Sequence, residues 1–178
     1  MLLFDNEAYQ IFMAVKRTER IPGDIAEVGV YKGGSAKLIC EANNGRMLHL
    51  FDTFQGLPNV GNIDKPQFCE GQFAVSFEEV KKYLNTYDNV HFYVGLFPDT
   101  AVPVMRKNFS FVHLDVDTYE STTNCLEFFY PRMSKGGIIL SHDYITAAGV
   151  RKAFDEFFQD KPEPLIEMSG SQCLVVKI

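Results

Sequence analysis

At 178 residues with 46% hydrophobic and 13% aromatic content, the chain is long enough to bury about 70% of its unfolded surface as one domain, residues 1–178, without staples. A net charge of -6 argues against a nucleic-acid or anionic-membrane surface. The four cysteines (Cys40, Cys69, Cys125, Cys173) show no CxxC spacing and read as reduced thiols; with no signal peptide and no membrane-length apolar run, a cytoplasmic protein is expected.

The first β-rich run is 25–30 (IAEVGV), followed by a helical pattern over 34–44. A second run, 46–52 (RMLHLFD), leads into a Gly- and Pro-rich stretch at 53–75 that reads as a long loop, expected to be a mobile cover over a site. Residues 76–86 open with Ser76 as N-cap and Glu79 three residues on, so a helix is predicted there. A third run at 90–95 precedes a short helix at 99–107, and a fourth, 109–116 (FSFVHLDV), precedes a helix at 119–134. The fifth run, 137–142 (GIILSH), is followed by 147–160, where Val150, Phe154, Phe157 and Phe158 share one helical face. Two last runs, 164–169 and 172–178, joined by Gly-Ser-Gln, form a hairpin signal. Strand–helix alternation with near-continuous apolar strands predicts an α/β fold, a mostly parallel seven-stranded sheet with helices on both faces.

Ligands collect at the carboxyl ends of such strands. Those ends carry Glu27, Gly29, Gly33 and Gly34; Asp52; Gly95; Asp115 and Asp117; and His142, Asp143 and Tyr144. The glycine spacing is neither GxGxxG nor a phosphate-binding GK[ST], which disfavours a nicotinamide-dependent oxidoreductase. A glycine turn with an acid at Asp52 suits the hydroxyls of a nucleoside ribose. Two aspartates one residue apart, beside Asp143 on the next strand, need compensation. A hard divalent cation, Mg²⁺ or Ca²⁺, supplies it. Without a cation, Asp117 would cap the following helix and Asp115 would pair with a Lys or Arg.

The segments DIAEVGVYKGGSAKLI, LHLFDTFQGLP, VGLFPDT, FVHLDVDTYEST and GGIILSHDY…GVRKAFDEFF together resemble the macrocin O-methyltransferase (TylF-like) family, in the family's order over 24–158. The resemblance implies the class I methyltransferase (Rossmann-like) fold, strand order 3-2-1-4-5-7-6 with strand 7 antiparallel. It implies S-adenosylmethionine and a divalent metal as cofactors, and a hydroxyl of a small molecule, a sugar among the candidates, as methyl acceptor. The implied cofactor set is Glu27, Gly29, Gly33, Ser35, Asp52, Thr53, Phe54, Gly95 and Asp115. The implied metal ligands are Asp115 and Asp143 and the implied base is Asp117; His142, which departs from the family pattern, is a further candidate ligand and base. The family often has two aspartates where this chain has His142-Asp143, which leaves His142 open as ligand, base or packed side chain. The segment before Asp24 is short for the family, so the acceptor pocket is expected to be open, completed by a second chain as a homodimer, or lost. A non-catalytic cofactor-binding protein on the same fold is the rival reading.

Overall fold

The computed structural model describes residues 3–178. Its first element is a helix that the alternation above does not contain. In α1 (Asp5–Arg17), Ile11, Ala14 and Val15 fall on one face at helical spacing and are buried. Glu7 accepts from Phe4 N at 2.9 Å, satisfying a backbone donor that the helix start would otherwise orphan. Asp5 and Glu7 in the first turn and Lys16 and Arg17 in the last suit the helix dipole.

Strands β1 (Asp24–Val28), β2 (Leu48–Asp52), β3 (Val90–Val94), β4 (Phe109–Leu114), β5 (Met133–Ser141), β6 (Ile166–Glu167) and β7 (Cys173–Val176) form one sheet in the order β3-β2-β1-β4-β5-β7-β6. The first five pair in parallel, and β7 lies antiparallel to both β5 and β6. This is the order and sense that the resemblance implies. Helices α1, α2 (Gly34–Ala42) and α3 (Phe77–Tyr83) cover one face; α4 (Tyr119–Phe129) and α5 (Ala148–Phe158) cover the other. Alternate strand residues feed two cores. Ile25, Leu48, Leu50, Phe111 and Leu140 pack with Ile11 and Ile39, whereas Ala26, Val28, Phe51, Val112 and Leu114 pack with Leu126 and Phe154.

Several boundaries move. The helix expected over 119–134 stops at Phe129, because Pro131 sits in a 3-10 turn (Tyr130–Arg132) and cannot continue the ladder. Strand β5 therefore starts at Met133, four residues earlier than expected, and absorbs Gly136 and Gly137 where its register against β4 shifts. The helix expected over 99–107 is a 3-10 turn, Asp99–Val104, with Pro103 inside it. Ser76 does cap α3, accepting from Glu79 N at 3.4 Å. Among the described residues no helix is long and apolar enough to cross a membrane.

One glycine governs the site's entrance. Gly29 turns the chain out of β1 with φ 85°, and a Cβ there would lie 1.9 Å from the Asp115 carbonyl oxygen. Only glycine lets β1 end that close to β4.

Candidate active site

A cavity of about 460 Å³ opens at the carboxyl ends of β1, β2, β4 and β5, within the range of small-molecule sites. From the glycine turn and β2 it is lined by Gly29, Ser35, Asp52, Thr53 and Gly95; from β4 and β5, by Asp115, Asp117, His142 and Asp143. Nine of the sequence-predicted positions thus meet in one space. Glu27, Gly33 and Phe54 do not line it. Glu27 is fully buried beneath the turn, 2.8 Å from His113 Nδ1, and burial raises its pKa. Gly33 holds the left-handed turn at the start of α2 against Val80 and Tyr83. Phe54 is buried on Phe77 at 5.1 Å between ring centroids.

Asp52 has a prior commitment. Its Oδ2 accepts from Val30 N at 2.7 Å and Tyr31 N at 2.9 Å, and its Oδ1 accepts from Phe54 N at 2.7 Å. A carboxylate offers about four acceptor positions. Asp52 thus ties the glycine turn to its own loop and keeps one position for a ligand in the cavity.

The acidic end is built around an imidazole. His142 Nδ1 lies 2.8 Å from Asp143 Oδ2 and 3.3 Å from Asp115 Oδ1, and its Nε2 lies 3.3 Å from Glu7 Oε2 of α1. Burial opposes the imidazolium, yet the Asp115 and Asp143 carboxylates raise its pKa to about 11. Burial also works against ionised Asp143, but the hydrogen bond and charge of His142, then bonds to Thr146 and Asp117, hold it below the ordinary value. Desolvation drives Asp117 well above the usual carboxylate range, and the Asp115 and Asp143 charges push it further. Both ring nitrogens of His142 face carboxylates. Atoms of Asp115, His142 and Asp143 lie within 4.8 Å of one another, and two carboxylates with one imidazole fit a divalent cation that keeps open coordination positions.

Backbone strain gathers on the same loops. Tyr31, Phe54, Phe73, Asp117 and Asp143 all have positive φ, between 48° and 67°, and all but Phe54 line the cavity. Non-glycine residues rarely hold this conformation unless their surroundings enforce it, as functional sites do.

The loop 53–75 forms no strand or α-helix and is seated over the cavity. Asp64, 2% exposed, lies at the start of α4, both its oxygens 3.3 Å from Tyr119 N. Gln67 Nε2 donates to Thr146 O at 2.9 Å, and Thr146 Oγ1 donates to Asp143 Oδ1 at 2.7 Å. The sequence reading missed Glu7, Asp64 and Thr146. Thr146 follows Asp143 by three residues in a turn, a local signal; Glu7 and Asp64 reach their partners only through the tertiary fold.

The sequence profile of the family described as Macrocin-O-methyltransferase (TylF) matches residues 7–172. An 8-demethyl-8-(2,3-dimethoxy-alpha-L-rhamnosyl)-tetracenomycin-C 4'-O-methyltransferase of Streptomyces olivaceus is 35% identical over 140 residues, 70% of this chain and 54% of that protein. A demethyldecarbamoylnovobiocin O-methyltransferase of Streptomyces niveus is 33% identical over 153 residues, 77% of this chain and 58% of that protein. The solved structure of the O-methyltransferase NovP superposes with a TM-score of 0.85 at 30% identity, covering 97% of this chain and 79% of that one. The chain spans a little over half the length of the curated relatives it matches.

Proposed function

The chain belongs to the macrocin O-methyltransferase (TylF) family, and from that premise we propose that it transfers a methyl group from S-adenosylmethionine to a hydroxyl of a small molecule, as a single cytoplasmic methyltransferase domain. A sugar hydroxyl is the acceptor class favoured, since one relative's name specifies methylation on a rhamnosyl-bearing compound. The observation that carries the reading is the shared cavity. Its glycine-turn side offers the spare acceptor position of Asp52, and its other side offers the converging Asp115, His142 and Asp143.

In this reading S-adenosylmethionine supplies an activated methyl on a sulfonium, and a divalent cation supplies charge that lowers the acceptor hydroxyl's pKa. Asp52 receives one ribose hydroxyl on its spare acceptor position, and the close approach at Gly29 leaves backbone room for the methionine part. Asp115, His142 and Asp143 would hold the cation at the cavity wall, where its charge would act on the acceptor hydroxyl. Asp117 takes the hydroxyl proton. It lines the cavity two residues from Asp115, beside the cluster. Leu57, Pro58, Phe68 and Phe73 from the seated loop give the cavity an apolar wall.

A thermal-shift screen of nucleoside cofactors, with and without divalent cations, tests this reading. Stabilisation by S-adenosylmethionine and its demethylated product is expected. Stabilisation by NAD instead, with none by S-adenosylmethionine, would overturn it.

A further inference from the structure

Glu7 has no place in the chemistry above, yet it is among the least exposed acids of the protein, at 1%. Its Oε1 accepts from Ser171 N and Ser171 Oγ, both at 2.8 Å; its Oε2 accepts from Phe4 N at 2.9 Å and faces His142 Nε2 at 3.3 Å. Capping α1 and fixing the β6–β7 turn explain the first three contacts. They do not explain why a carboxylate from the N-terminal helix reaches a ring at the far end of β5. A Cβ at Gly170 would lie 2.6 Å from Glu7 Oε1, so the turn is shaped around this side chain.

The consequence falls on His142. With Nε2 turned to Glu7, the ring is oriented so that Nδ1 is the nitrogen among the carboxylates, 2.8 Å from Asp143 and 3.3 Å from Asp115. A ligating imidazole whose far N–H is held by a carboxylate is fixed in tautomer and orientation and is a stronger donor.

We propose that Glu7 is a positioning residue that holds His142 with Nε2–H on its own carboxylate and Nδ1 on the cation, so that this site takes a borderline ion such as Zn²⁺ or Co²⁺ in preference to Mg²⁺ or Ca²⁺. The inference rests on the divalent-cation reading of the same cluster and adds to it the kind of ion and the residue that enforces the choice. Mg²⁺ and Ca²⁺ seek oxygen donors, whereas imidazole nitrogen favours the later ions. An aspartate in place of His142 would face Glu7 with no donor between them. The Glu7–His142 pair and the donor set therefore stand or fall together.

The test reads the metal rather than activity. Long-range proton–nitrogen NMR on the ¹⁵N-labelled protein, titrated with Zn²⁺, reports which nitrogen of His142 is protonated and which is metallated; H142N assigns the signals. Calorimetry gives the affinities for Zn²⁺ and Mg²⁺. The expected result is Zn²⁺ on Nδ1 with the proton on Nε2. H142N should weaken Zn²⁺ by more than about tenfold and Mg²⁺ by less than about threefold. E7Q should weaken Zn²⁺ by about 10–100-fold. Because an amide N–H there would meet other donors and cost stability, the wild-type spectrum is the primary readout. Zn²⁺ binding that leaves the His142 signals unmoved, or Mg²⁺ bound as tightly as Zn²⁺, would overturn the inference and leave the divalent-cation reading standing. No binding of either ion would overturn both.

Discussion

Asp117 sits at the tip of β4 with φ 61°, and its carboxyl is held well above the ordinary carboxylate range by desolvation and then by Asp115 and Asp143. A group with a raised folded pKa binds its proton more tightly when folded, so its stabilising contribution is complete below the unfolded value of 3.8 and is lost as pH rises through the folded value. Free of divalent cation, the protein therefore carries a charge penalty at neutral pH. D117N keeps the shape, tolerates positive φ and removes the charge. It should stabilise the cation-free protein near pH 7 and do so by little near pH 3. Denaturant melts at the two pH values check this; an equal effect at both would mean that the backbone, not the charge, is strained. Asp52 gives a second prediction at this scale. Its three backbone bonds make it the tie between two loops before it is a ligand for anything. D52N must leave at least one of those N–H groups short, costing about 1–3 kcal/mol of folding stability in addition to cofactor affinity. Calorimetry showing lost affinity with unchanged stability would leave the ribose role alone and remove the tie.

Between elements, the loop 53–75 is held by Asp64 against the starts of α4 and α5. A Cβ on Gly149 would lie 1.9 Å from Asp64 Oδ1 and 2.9 Å from Tyr119 N. G149A should therefore displace the loop while the sheet and both cores persist. Hydrogen exchange should show lost protection confined to 53–75 and the first turns of α4 and α5. Loss spread evenly through β4 and β5 would mean that Gly149 serves helix packing instead. This seating was not legible in the sequence, where the Gly and Pro content of 53–75 reads only as a loop. A buried acid 55 residues from the helix start it contacts leaves no periodic trace. Strands β1, β2, β4 and β5 were legible because both faces of the sheet are covered there, so each is a largely apolar run. Helix α1 was passed over for the opposite reason. Its buried face is short and interrupted by the polar Glu7, whose role depends on His142, 135 residues away. The helix α4 boundary was missed because Pro131 follows an unbroken helical pattern, and only the pairing of Met133 with Phe109 shows where the strand begins.

Across the whole molecule, the strand order brings the ends of β1 and β2 to one side of a single cavity and the ends of β4 and β5 to the other. The carboxylates of the acidic cluster were readable from their positions at strand ends. The ring that links them was read with its role open, and its N-terminal partner was not read at all. A ligand held on either side should stabilise the folded chain by mass action, about 2.7 kcal/mol at a hundred times its dissociation constant. The two sides should also be separable, since the glycine turn and Asp52 do not depend on the charge of Asp115. The most direct test is D115N, with S-adenosylmethionine affinity, divalent-cation affinity and folding stability measured on the same preparation. The expected result is a folded protein that binds S-adenosylmethionine nearly as the wild type does, and that has lost both the cation and methyl transfer. Cation binding at wild-type affinity in D115N, or the joint loss of cation and cofactor from a folded protein, would contradict it.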